Sequence, residues 1–246
     1  MEFHADLHLR PDLNSLGHTK ELVEKSAELG YDAAGVPLPA NVTGGEIRSL
    51  RDLFTAVGME LVLRVDLAPK DSADMLRKLR NVRRRFEVIA VQCYSKNIAR
   101  QAAKDRRVDL LSFPSADTRR RFFDHAEAQL AAAASASLEI DMAHLLSLQG
   151  AQRSHLLSAF SREALTARKL DVPVVLSSGA NEPSLLRKPD EYAFLAYLFG
   201  LDLHRARQAL SENPHAIIER NRRKLSLSYV APGVYVIRRG KDCPGV

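Results

Sequence analysis

Within nine residues, HADLHLRPD (4–12), the chain sets two imidazoles and a carboxylate at alternate positions, His4, Asp6 and His8. Alternate side chains of a β-strand share a face, so a strand here points these three groups one way and Phe3, Ala5 and Leu7 the other. Imidazole and carboxylate are ligands for a hydrolytic cation, and many such sites hold two ions, which require further ligands from other segments. The rival reading is structural: a histidine or aspartate at a strand end is more often hydrogen-bonded to a neighbouring loop. The spacing leaves both open.

The elements that would position these groups recur along the chain. Short runs rich in β-branched and aliphatic residues at 3–7, 32–36, 60–65, 88–92, 108–112, 138–141 and 172–177 alternate with helical patterns, the mark of βα units on a parallel sheet. Leu50, Leu53, Phe54 and Val57 follow helical spacing, and Met75, Leu79, Val82 and Phe86 repeat it one unit later. Further helices are expected at 152–168, after 189 and at 202–211, and Asn213-Pro214 can begin another. The alanine-rich 129–138 reads as a helix end feeding a strand. Seven clear βα repeats in 246 residues, with no GxGxxG or P-loop pattern after any strand, fit a TIM-like α/β barrel over 1–224, although an eighth strand is not visible. From 225 to 246 the pattern changes to period two around Ala231-Pro232-Gly233, a hairpin or tail whose last six residues, KDCPGV, are expected to be poorly ordered.

In a barrel of this kind the site lies at the C-terminal ends of the strands. Those ends supply Asp66 in RVDLAP, and Glu139 and Asp141 in LEIDMAH with His144 one turn on. GVPLPAN and VVLSSGAN carry neither acid nor imidazole, and Asp117 in LSFPSAD suits a helix N-cap. A metal-dependent phosphoesterase would draw on His4, Asp6, His8, Asp66 and Glu139. A polynuclear site is poorly supplied.

The chain is 46% hydrophobic and 27% charged, ordinary for a globular protein, and its length allows roughly 70–75% of the unfolded surface to be buried. Two cysteines outside any zinc spacing, no apolar run near 18 residues and an acidic, imidazole-bearing start point to a cytoplasmic protein rather than a secreted or membrane-spanning one. The net charge of +6 attracts polyanions, and its arginines gather at 80–86, 104–107, 118–122, 219–224 and 237–241. The planar guanidinium suits phosphate.

The motifs FHADLHLRP, AELGYDAAGVPLP, LEIDMAHLL, VPVVLSSGA, LLRKPDEYAFLAYLFGL and ENPHAIIERNR, in this order, resemble the archaeal ribonuclease P protein component 3 (p30) family from about residue 2 to residue 224. That family in turn resembles the PHP phosphoesterases, whose barrels are distorted TIM barrels. Where the PHP group has Asp-Leu-His-x-His, this chain has Asp6-Leu7-His8-Leu9-Arg10; its Thr-Asp-His corresponds to Val36-Pro37-Leu38, and its Ser-Asp-x-His to Ser177-Ser178-Gly179-Ala180. The resemblance therefore implies a degenerate site at His4, Asp6 and His8 with no metal in this chain, Arg10 repelling any ion that His8 retained.

The resemblance implies a subunit of the ribonucleoprotein that removes the 5′ leader of precursor tRNA, with catalysis and magnesium belonging to the RNA subunit. It also implies a small ferredoxin-like protein partner in a heterotetramer, and other ribonuclease P proteins. Phosphate contacts would then come from Arg77, Arg80 and Arg84, opposite the apolar face of their helix, and from Arg10, Arg64, Lys96 and Arg187 around the barrel mouth. Each has a structural rival: a solvated helix face, or a local ion pair such as Arg187 with Asp190 or Glu191. Without an aromatic RNP-type sheet, base stacking is expected to be minor.

Overall fold

The computed structural model describes residues 3–114, 117–231 and 233–236. The basic run 237–241, Cys243 and the KDCPGV end lie outside them. Seven parallel strands follow chain order around the sheet: β1 (Ala5–Asp6), β2 (Ala33–Pro37), β3 (Glu60–Leu67), β4 (Val88–Gln92), β5 (Leu110–Ser112), β6 (Ser137–Asp141) and β7 (Val174–Ser177). The helices are α1 (Leu16–Glu28), α2 (Gly44–Ala56), α3 (Ser72–Val82), α4 (Lys96–Ala103), α5 (His125–Ala134), α6 (Ala143–Ser147), α7 (Gly150–Lys169), α8 (Pro189–Tyr197), α9 (Leu203–Gln208) and α10 (Glu212–Leu225). An antiparallel hairpin, β8 (Tyr229–Ala231) and β9 (Val234–Tyr235), ends the described chain.

Local sequence explains the punctuation. Thr43 and Glu46 cap α2 reciprocally, Asp71 and Ser95 cap α3 and α4, and Asp117 caps the short 3-10 turn Thr118–Arg120. The alanine run ends at Ser135, whose left-handed backbone (φ 61°) turns α5 into β6.

The barrel is nearly closed, and the eighth place is taken by a turn rather than a strand. Between β7 and β1 the end of α9 inserts Ala209 and Leu210: Leu176 N–H donates to Ala209 O and Ala5 N–H to Leu210 O, both at 3.0 Å. Nearer the mouth the two edges meet directly, Arg10 N–H donating to Ala180 O at 2.8 Å. Two carbonyls have no period-two signature, which is why no eighth strand is legible.

Alternation along the strands divides the core. Leu61, Leu63, Val65, Ile89, Val91, Leu138, Ile140 and Leu176 face the helices. Inside, Ala5, Leu7, Ala33, Val62, Val88, Ala90, Leu110 and Val175 pack with Ile217 and Ile218 of α10, which stop the barrel at the strands' N-terminal end. The helix is fixed there by polar contacts. Asp109 accepts from Arg83, Arg220 and Asn221 at 2.7–2.8 Å, and Arg222 bridges Glu87 and Glu60 at 2.6 and 2.7 Å.

Close approach of β1 to β2 requires Gly35, since a Cβ there would overlap the Leu7 carbonyl. Gly35→Ala is expected to lower unfolding stability by roughly 1–3 kcal/mol through overpacking, whereas Gly45→Ala, on an open helix face, should be neutral or stabilising. Urea denaturation of the two variants checks this.

Candidate functional site

The inward positions above the apolar layer are polar. Along β3 the sequence Val62, Arg64, Asp66 rises from the apolar plug to the mouth, and along β6 Glu139 and Asp141 stand at matching heights. Arg64 is fully buried. Its Nη1 and Nη2 donate to the two Glu139 oxygens at 2.5 and 2.8 Å, its Nε to Asp66 at 2.6 Å, and Nη1 also to the Leu7 carbonyl at 2.8 Å. Ser177 Oγ donates to Glu139 at 2.9 Å, so the carboxylate is almost saturated.

One layer up, His8 is buried between two acids, Nδ1 2.8 Å from Asp141 and Nε2 3.3 Å from Asp66. Burial and the Arg64 charge push its pKa down, but Asp141 and Asp66 outweigh both and raise it to about 10, so the ring is an imidazolium at neutral pH. Burial would raise both acids; the Arg64 charge and His8 overcome it at Asp66, and His8 does so at Asp141, so both stay below the usual carboxylate range. Above this floor opens a cavity of about 420 Å³, walled by Tyr94, Phe113 and His144 with Arg10 on the rim.

The expected one-faced triplet is not formed. β1 is only two residues long, and its chain bends at Leu7, so Ala5 and Leu7 fill the barrel while His8 swings into the mouth. Asp6 instead binds the loop after β7, accepting from Ser178 N–H at 2.9 Å and Ser178 Oγ at 2.5 Å, and burial raises its pKa despite these bonds. His4 lies at the other end of β1, its N–H donating to Asp32. The set His4, Asp6, His8, Asp66 and Glu139 therefore does not converge.

Three donor groups do converge: one ligand atom each from His8, Glu139 and Asp141 lies within 4.8 Å of the others. They do not fit a divalent ion, because both Glu139 oxygens are bound by Arg64 and both His8 ring nitrogens are already directed at carboxylates, Nδ1 at Asp141 and Nε2 at Asp66. The charge opposing the acids comes from Arg64, not from Arg10, which is exposed at the rim. This corrects the expectation that Arg64 faces RNA.

The other mouth cations are also engaged. Lys96 pairs with Asp124 at 2.9 Å, and Arg187 folds back onto the Ser184 and Leu186 carbonyls at 2.8 and 2.7 Å rather than onto Asp190 or Glu191, which meet Arg207 and the Lys188 backbone. On α3 Arg77 pairs with Asp74, but Arg80 and, just beyond the helix, Arg84 are exposed with no polar partner among the described residues. Part of each of the four described clusters, 80–86, 104–107, 118–122 and 219–224, is structural: Arg83, Arg107, Arg121, Arg220 and Arg222 all hold internal acids. Of the cations in these clusters, Arg80, Arg84, Lys104, Arg106, Arg119, Arg223 and Lys224 are exposed with no side-chain hydrogen bond or ion pair among the described residues, and all but Arg119 lie at or just beyond the ends of α3, α4 and α10. Arg83 links the first two ends by donating to the Arg107 carbonyl, and its charge together with that of Arg220 helps to depress the pKa of Lys224, burial being the larger cause. This basic face lies at the strands' N-terminal end, opposite the mouth. Sequence spacing cannot separate these cations from their paired neighbours.

Comparison with known proteins agrees with this architecture. Residues 6–226 match the family described as RNase P subunit p30. The chain belongs to that family. "Ribonuclease P protein component 3" of Methanococcoides burtonii is 28% identical over 95% of this chain and 93% of its own length, and that of Methanosarcina acetivorans is 31% identical over 75% and 76%. A chain from the cryo-EM structure of archaeal ribonuclease P with mature tRNA superposes with a TM-score of 0.83 at 20% identity, covering 97% of this chain and 100% of that one. At that identity the likeness establishes the fold. Among the described residues no helix is long and apolar enough to cross a membrane.

Breaking the buried pair leaves one charge uncompensated: Arg64→Ala should lower unfolding stability by about 3–5 kcal/mol, and Arg64→Met combined with Glu139→Leu should recover most of the loss. Denaturant titration of the single and double variants measures both. His8 has a folded pKa above its unfolded value, so its stabilisation is full below about pH 6.5 and disappears as pH rises toward 10. The wild-type loss of stability between those pH values should be steeper than that of His8→Gln.

Proposed function

We propose that this chain is a protein subunit of ribonuclease P, acting within the ribonucleoprotein that removes the 5′ leader of precursor tRNA. The observation that carries this reading is the match to the p30 subunit family over residues 6–226. The cytoplasm is its place of work, and the hydrolytic magnesium belongs to the RNA; the binding of Glu139 by Arg64 supports a chain that brings no metal.

The basic end face is the surface we assign to RNA. Guanidinium and ammonium groups without internal partners can neutralise crowded phosphates and release counterions, positioning the RNA without reading its sequence. A small ferredoxin-like subunit in a heterotetramer, together with other ribonuclease P proteins, completes the assembly. Phe194 and Tyr197 of α8 and its C-cap Leu198, all at least 60% exposed, supply an apolar patch for a protein partner.

Reconstitution with a cognate ribonuclease P RNA, its small protein subunits and precursor tRNA at reduced magnesium tests the proposal. Cleavage should fall when this chain is omitted, and unchanged cleavage refutes the subunit role. Arg80→Glu with Arg84→Glu should weaken RNA binding at least tenfold and make its salt dependence shallower by about one in log-log slope for each phosphate that is no longer neutralised.

A further inference from the structure

The cavity at the barrel mouth is absorbed neither by the basic end face nor by the buried ion pairs beneath it. Its size, about 420 Å³, falls within the roughly 300–1,000 Å³ common for small-ligand sites. One wall is aromatic: Tyr94 is 44% exposed beside the buried Phe113. Such a wall gives a planar ring a stacking partner.

The floor offers acceptors. Asp141 uses Oδ1 on His8, and no hydrogen bond among the described residues reaches its Oδ2. Gln92 donates weakly to Asp66 through Nε2 at 3.4 Å, its amide oxygen has no hydrogen-bond partner among the described residues, and Gln92 and Ser112 both line the cavity. An open carboxylate oxygen on Asp141 favours a ligand edge rich in N–H donors. At the rim Arg10 is exposed and has no side-chain partner among the described residues, so it is available to an anionic group carried elsewhere on the same ligand.

We propose that the barrel mouth binds a single unpaired nucleotide, its amino-bearing base stacked on Tyr94 with its donor edge against Asp141 and Gln92, and its phosphate on Arg10. Guanine, adenine and cytosine present an exocyclic amine to the acid, as uracil does not. This rests on the reading of the chain as an RNA-binding subunit, since the nucleotide is one splayed out of that RNA. It also gives the mouth of an ion-filled barrel a ligand that needs no metal.

The test titrates the four ribonucleoside 5′-monophosphates into the full chain, following the histidine and tyrosine ring resonances by NMR. GMP, AMP or CMP should bind at least fivefold more tightly than UMP. Tyr94→Ala and Arg10→Ala, both substitutions of exposed side chains, should each weaken binding fivefold or more, and excess ribonuclease P RNA should displace the nucleotide. Absence of binding at millimolar nucleotide, equal affinity for all four, or wild-type affinity in both variants overturns the proposal. Binding that the RNA does not displace also overturns it, and shows instead a site for a free nucleotide. Arg80→Glu with Arg84→Glu serves as the separate arm: it should impair RNA binding while leaving mononucleotide affinity unchanged. Failure of the mouth and failure of the RNA-binding face are thereby read independently.

Discussion

A guanidinium and a carboxylate lie buried on the axis of the barrel, and neither could remain there alone. Arg64 satisfies both oxygens of Glu139, one of Asp66 and the Leu7 carbonyl, so a single side chain ties β1, β3 and β6 together across the interior. The mutual attraction offsets a desolvation cost of several kcal/mol per ion. Its effect extends upward, because Arg64 helps hold Asp66 ionised, Asp66 and Asp141 keep His8 protonated, and His8 closes the floor of the mouth. Below it, the shape of the apolar layer follows from the same strand alternation, ending at Ile217 and Ile218.

A metal-binding barrel would use cations from solution to balance acids at this height. Here protein cations do so, and the consequence is a mouth whose charges are internally matched except for one carboxylate edge. Exposed cations without internal partners gather at the other end of the barrel. There Asp109, Glu87 and Glu60 engage Arg83, Arg220 and Arg222, which anchors α10 and leaves Arg80, Arg84, Lys104, Arg106, Arg223 and Lys224 unopposed. The two ends of the barrel are therefore chemically distinct: one is closed by ion pairs around a cavity, the other is a field of free cations.

Periodicity made most of the architecture legible. All seven strands begin and end within two residues of the runs that alternate with helical spacing, β1 being shortened at both ends, and the hairpin falls inside 225–246. The eighth position was not legible because Ala209 and Leu210 contribute only two carbonyls from a helix-terminal turn. At the site, Asp66, Glu139, Asp141 and His144 are legible as strand-end groups, but their partners are not: by sequence Arg64 reads as open to RNA and His4 as a neighbour of His8. A bend at Leu7 and the inward alternation of β3 reversed both.

By itself the sequence determined the βα order, the apolar faces, the excess of arginine and the motifs that tie the chain to the p30 family, since these depend on residue type and near-neighbour spacing. Only the tertiary structure decided which charges cancel. Ion pairs such as Arg64 with Glu139, 75 residues apart, or Arg222 with Glu87, 135 apart, join segments that no local pattern relates. A guanidinium bonded to a buried acid and one open to phosphate are the same letter in the sequence, and the fold alone separates them by placing a carboxylate within hydrogen-bonding distance of the first and none beside the second.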